Sequence, residues 1–163
     1  MTRQDLPIMA KELKPGDKAP AFTLPADNGG KVSSSGLKGA TVLYFYPKDD
    51  TSGCTLEAKD FSKAAKAFKA AGAAVIGVSK DSVTSHDRFK AKHKLAFTLA
   101  SDEELKAAKA YGVWVEKSMY GRKYMGMERA TFLIDGKGVI RKIWRKVKVP
   151  GHVADVLAAA KEL

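Results

Sequence analysis

The chain of 163 residues predicts an α/β fold, a central mixed β-sheet flanked by helices. Three observations predict it. Residues 41–46 (TVLYFY) are an apolar run of β-formers, and residues 73–79 (AAVIGVS) a second apolar run centred on Val75, Ile76 and Val78, the pattern of strands buried on both faces. Between them, Phe61, Ala65 and Phe68 recur at helical spacing, so strand, helix and strand form a right-handed βαβ unit with parallel strands. Residues 130–134 and 139–144 then flank Asp135-Gly136-Lys137-Gly138, a hairpin turn that adds antiparallel strands.

The elements follow in order. Residues 1–12 read as a loose lead-in, and the whole chain as one domain. A short N-terminal hairpin is expected about Asn28-Gly29-Gly30, with Phe22 and Leu24 on one face. Residues 33–39 have room for a single helical turn. The helix after the first strong strand begins at or just before Cys54 and runs to Ala71, with Gly72 as its cap. Residues 82–94 form a helix with Val83, His86 and Phe89 on one side, and residues 95–99 a short strand. Ser101-Asp102-Glu103-Glu104 reads as a capping box with Glu104 at the third helical position. Residues 113–127, rich in Gly and Tyr, read as a long loop, and residues 153–163 as a terminal amphipathic helix. This order resembles the thioredoxin fold with an N-terminal β-hairpin extension.

Composition narrows the function. The chain is 45% hydrophobic and 29% charged, ordinary for a soluble globular protein, and no apolar run reaches the length of a membrane span. The N-terminus carries charges where a secretion signal needs an apolar stretch, so the expected location is cytoplasmic. A single cysteine excludes an internal disulfide and a cysteine-rich zinc site; any disulfide is formed with another molecule. The net charge of +11 is spread over helical lysines, and its densest cluster, RKIWRKVK (141–148), alternates as a strand with an exposed polar face. No nucleic-acid motif accompanies it, so the expectation is a solvated basic surface that favours acidic protein partners, with no nucleic acid and no membrane. His86, His93 and His152 show no metal spacing and read as surface or boundary residues. Tyr44 and Tyr46 read as core or as walls of a site, and Trp114 and Trp144 as packing residues.

Cys54 is where the chemistry points. It follows a buried strand and the turn-rich segment PKDDTSG, at the start of a helix. Unpaired backbone N–H groups and the positive end of the helix dipole favour a thiolate there, the reactive form of cysteine. Gly53 allows another molecule close to the backbone, and Thr51 sets a hydroxyl three residues before the sulfur. In a parallel sheet, catalytic groups gather beyond the C-terminal strand ends, where Cys54 and residues 80–82 both fall.

Pro47, Thr51 and Cys54 match the P-x-x-x-T-x-x-C signature of the peroxiredoxins. FYPKDDTSGCTLEAKDF and GMERATFLIDGKGVI resemble the bacterioferritin-comigratory (PrxQ) group of that family. The resemblance implies a thiol peroxidase acting on hydrogen peroxide and organic hydroperoxides, with no metal and no organic cofactor. It implies that Cys54 is the nucleophile, that Thr51, Gly53, Cys54 and Arg129 bind the peroxide, that Pro47 shields the site, and that Glu57 orients Arg129. Two positions where relatives carry a second, resolving cysteine are Lys59 and Lys90 here. The expected enzyme therefore has one cysteine and relies on an outside thiol: thioredoxin, glutaredoxin or glutathione. The resemblance favours a monomer or weak dimer. Three other readings are a peroxide sensor or holdase on the same fold, a nucleic-acid-binding protein, and a disulfide reductase. The last is disfavoured because a C-x-x-C motif would need a cysteine where Thr51 stands.

Overall fold

The structure, a computed structural model, describes residues 12–163. The loose lead-in read over residues 1–12 lies, but for Glu12, outside the described residues. A five-stranded sheet in the order β5-β4-β3-β8-β9 forms the centre. Its strands are β3 (Ala40–Phe45), β4 (Ala73–Ser79), β5 (Thr98–Ser101), β8 (Ala130–Ile134) and β9 (Ile140–Trp144). The βαβ expectation is met, since β3, β4 and β5 run parallel, and β8 and β9 are antiparallel additions. The N-terminal hairpin, β1 (Thr23–Pro25) and β2 (Lys31–Ser33), stands as its own small sheet, and β6 (Trp114–Met119) with β7 (Arg122–Met127) makes another.

Alternation along β3 divides the core into two layers. Val42 and Tyr44, with Tyr46 just beyond the strand, face a cluster with Cys54, Phe61, Phe68, Phe89 and Val156. Leu43 and Phe45 face the other, with Ile76, Tyr111, Phe132 and the hairpin residues Phe22 and Leu24. The helices are α1 (Ser52–Lys63), α2 (Ala65–Ala70), α3 (Val83–His93), α4 (Lys106–Ala110) and α5 (His152–Lys161). Among the described residues, no helix is long and apolar enough to cross a membrane.

Several expectations are corrected. The helix expected to run from Cys54 to Ala71 is two: the backbone leaves helical geometry at Ala64 (φ −90°, ψ 1°), between the buried rings of Phe61 and Phe68. The capping box at Ser101 does not form. Ser101 ends β5 and its hydroxyl donates to the Asp81 carbonyl, while Asp102 takes over the helix end by accepting from the N–H groups of Ala107 and Ala108. The strand expected at 95–99 lies at Thr98–Ser101, because residues there pair with β4 and Leu95 turns inward without a partner strand. The long loop read at 113–127 is the β6–β7 hairpin, closed by Tyr120 and Gly121, both at positive φ (53° and 78°), in the two-residue turn that matches strand twist. His86 and His152 are buried rather than surface residues, because each finds polar partners inside: Asp49 and the Ala100 carbonyl for His86, Thr131 for His152.

Candidate active site

Cys54 is the third residue of α1, beyond the C-terminal end of β3, with Thr51 as the residue before the helix. Cys54 is almost closed off, at 2% exposure, and it packs within the cluster of Tyr44, Tyr46 and Phe61. Arg129 immediately precedes β8. Because Phe45 pairs with Ala130 across β3 and β8, Arg129 emerges beside the end of β3 from which the Cys54 loop departs. The guanidinium is thus delivered across the sheet, 75 residues along the chain from the sulfur.

One guanidinium nitrogen, Nη2, lies 3.4 Å from Cys54 Sγ, and the other, Nη1, donates to Glu57 Oε1 at 2.6 Å. Cys54 and Glu57 lie three residues apart on one face of α1, so one planar cation bridges both. Gly53 leaves room for this cation: a β-carbon there would stand 3.2 Å from Arg129 Nη2, a tight contact that the guanidinium would have to ease by a few tenths of an ångström. Glu57 is fully buried, and its Oε2 has no hydrogen-bond partner among the described residues. Burial pushes its carboxyl up to about 7, against the pull of the Arg129 guanidinium. Burial also opposes the charge on Arg129, but Glu57 and Cys54 outweigh it and hold the guanidinium protonated.

Tyr44 forms the floor. It stacks on Phe61 with ring centroids 4.5 Å apart, and its hydroxyl too is buried without a partner among the described residues. Glycine at 77, paired with Tyr44 on the next strand, leaves the space for that ring, since a β-carbon would come within 2.9 Å of it. Burial raises the Tyr44 phenol well above its ordinary range, so it remains neutral.

The other sequence-predicted residues stand at the rim. Thr51 is exposed, and its hydroxyl donates to the Lys48 carbonyl at 2.9 Å rather than to the sulfur, which leaves its lone pairs open. Pro47 is half-buried at the start of the same loop. Lys59 is exposed on α1, and Lys90 on α3 ties to buried Asp27 at 2.7 Å, so neither position offers a second thiol. Among the described residues, no group of three or more His, Cys, Asp or Glu could hold a metal. A cleft of about 620 Å³ near Lys38, Lys69 and Phe97 opens at the far end of β3 and β4 and takes no part in this arrangement.

Sequence reasoning missed the support beneath the loop. Buried Asp49 accepts from Tyr46 Oη at 2.6 Å and Ser85 Oγ at 2.8 Å, and meets His86 Nδ1 at 2.7 Å. His86 Nε2 faces the Ala100 carbonyl at 2.9 Å. Each ring nitrogen thus faces an oxygen that can accept a hydrogen bond. The Asp49 N–H donates to Asp81 Oδ2, which fastens the loop to the end of β4. No local spacing links residues 49 and 86, so only the fold reveals the pair. Lys117 was also missed: it is half-buried on β6, near enough to Arg129 and Cys54 to feel both charges.

A family model, that of the AhpC/TSA family, matches residues 15–143. The peroxiredoxin Bcp of Bacillus subtilis is 50% identical over 91% of this chain and 95% of its own length. The chain belongs to this family, among the Bcp peroxiredoxins. Solved structures agree. The bacterioferritin comigratory protein of Xanthomonas campestris superposes with a TM-score of 0.83 at 45% identity, covering 86% of this chain and 90% of its own. A PrxQ mutant of Xylella fastidiosa reaches a TM-score of 0.88 at 39% identity, over 94% and 98%. This Bcp peroxiredoxin is a thiol-dependent peroxidase with the thioredoxin fold that its strand order suggested.

Proposed function

We propose that this peroxiredoxin reduces hydrogen peroxide and organic hydroperoxides through Cys54 and is regenerated by a thiol from outside the chain. The observation that carries the reading is the Arg129 guanidinium held between Cys54 Sγ and Glu57. The Cys54 thiolate attacks one peroxide oxygen. The O–O bond breaks, an S–O bond forms, and the departing hydroxide or alkoxide takes a proton from solvent. Two electrons pass from sulfur to the peroxide, leaving a sulfenic acid. Arg129 stabilises negative charge first on the sulfur and then on the departing oxygen, and Glu57 fixes its orientation. The open lone pairs of Thr51 accept from the peroxide O–H, the Gly53 and Cys54 backbone lines the approach, and Pro47 keeps bulk water off the sulfur. The Xanthomonas campestris relative is described for alkyl peroxide reduction activity, which supports extending the substrate class to organic hydroperoxides.

The chain has one cysteine, so a thiol of thioredoxin, glutaredoxin or glutathione attacks the sulfenic sulfur, forms a mixed disulfide and releases water; a further thiol then frees Cys54. We place the protein in the cytoplasm, where such thiols are kept reduced, as a monomer or weak dimer. The test is peroxide consumption with each reductant for wild type and Cys54→Ser. Turnover by wild type with at least one of them, and none by the variant, is expected; equal consumption by both would remove Cys54 from the chemistry. Near-complete burial of Cys54 favours one second reading, a peroxide sensor whose sulfenate outlasts the encounter. Single oxidation without turnover in the same assay would select it. Excess peroxide should in either case drive Cys54 to sulfinic acid, visible by intact mass.

A further inference from the structure

The β6–β7 hairpin makes no strand pairing with the central sheet, yet it grows directly from the active site, since β7 ends two residues before Arg129. Its register sets Lys117 opposite Tyr124 and Met119 opposite Arg122, and these four share one face. The stems of Lys117 and Tyr124 lie over Gly126, where a β-carbon would meet Lys117 Cδ at 3.1 Å. Lys117 on this face is half-buried, and its ammonium lies within electrostatic reach of Arg129. Beyond it the apolar side chains are open: Tyr120 is 97% exposed, Met119 55% and Tyr124 44%. A cluster of large exposed apolar groups interleaved with cations, on the hairpin that leads into Arg129, is the composition of a docking site rather than of a solvated surface.

We infer that the hairpin face of Lys117, Met119, Tyr120, Arg122 and Tyr124 docks an acidic protein that carries the reducing thiol. The inference rests on the peroxidase reading above. A second copy of this chain is disfavoured as occupant, because it would bring the same net charge of +11. An acidic partner gains from the cations, and an apolar rim around its thiol would cover Met119, Tyr120 and Tyr124. Its thiolate attacks the Cys54 sulfenic sulfur, the S–S bond forms as the S–O bond breaks, and hydroxide leaves as water after taking a proton. The partner's second thiol then displaces Cys54 as thiolate.

Two variants test this. One combines Met119→Ser with Tyr120→Asn, which suits the positive φ of the turn; the other is Arg122→Glu. Hydrogen peroxide turnover is measured with an acidic bacterial thioredoxin and its reductase, and separately with dithiothreitol. The KM for thioredoxin should rise about tenfold in each variant, the effect of losing one strong interface contact. Turnover with dithiothreitol should stay at the wild-type value. Unchanged KM overturns the inference, as does a wild type reduced by dithiothreitol but not by thioredoxin. A parallel fall with both reductants would mean damage to the site and would overturn it also. Failure of peroxide to oxidise Cys54 at all defeats the peroxidase reading itself, and intact mass before any reductant is added identifies that case.

Discussion

Two buried carboxylates flank the Cys54 segment, and they are treated in opposite ways. Asp49, in the loop before α1, is saturated: a tyrosine, a serine and a histidine all engage its two oxygens. Glu57, inside α1, is fully buried with one oxygen bound to Arg129 and the other without a partner among the described residues. A satisfied buried group fixes a conformation; an unsatisfied one is held at a cost and stays responsive. The first station holds the loop in place, and the second meets the sulfur through the guanidinium that it binds.

That contrast can be broken from either side. The largest effect is expected at the saturated station. Asp49→Ala leaves Tyr46, Ser85 and His86 without their buried acceptor and should cost on the order of 3 kcal/mol in denaturant unfolding. A loss under 1 kcal/mol would show that the network is ornamental. At the responsive station, Arg129→Ala should slow oxidation of Cys54 by about a hundredfold or more in stopped-flow, with a much smaller loss of stability. Equal damage to stability would erase the distinction between the two.

Acidity sharpens the comparison further. Folding raises the Glu57 carboxyl from 4.5 to about 7, so the folded state prefers it protonated. Its contribution to stability is complete below 4.5 and is lost as pH rises through 7, on the order of 3 kcal/mol. Glu57→Gln should therefore unfold less readily than wild type at pH 8 relative to pH 5. The same ionisation gives Arg129 its full partner, so the wild-type rate of Cys54 oxidation should carry a step near pH 7 that Glu57→Gln lacks. A third group supplies the smallest effect. Burial lowers His152 from 6.5 to about 4, so the unfolded chain binds a proton there before the folded one does. The His152 ring is less deeply enclosed than the Glu57 carboxyl, so solvent screening trims the loss to on the order of 2 kcal/mol as pH falls from 6.5 to 4, and His152→Gln should flatten that part of the curve.

The sequence was most readable where signals are local. The strands at β3, β4 and β8, the Asp135–Gly138 turn and the Cys54 helix start follow from periodicity and turn chemistry. The β6–β7 hairpin escaped because its strands are largely exposed, so they lack the apolar alternation of a half-buried strand, and because Tyr120-Gly121 replaces the usual Asn-Gly. Arg129 and Glu57 were legible through family resemblance, and their contact distance only through the fold. Asp49, His86 and Lys117 were illegible, because long-range pairing creates their environment.

Gly53 shows how finely the arrangement is balanced. Within a helix, glycine gives up about 1 kcal/mol relative to alanine. The chain forgoes that gain in the first turn of α1, where one methyl group would crowd the Arg129 guanidinium. Alanine at this position would favour the helix and, through the same methyl group, press on the guanidinium that meets the Cys54 sulfur.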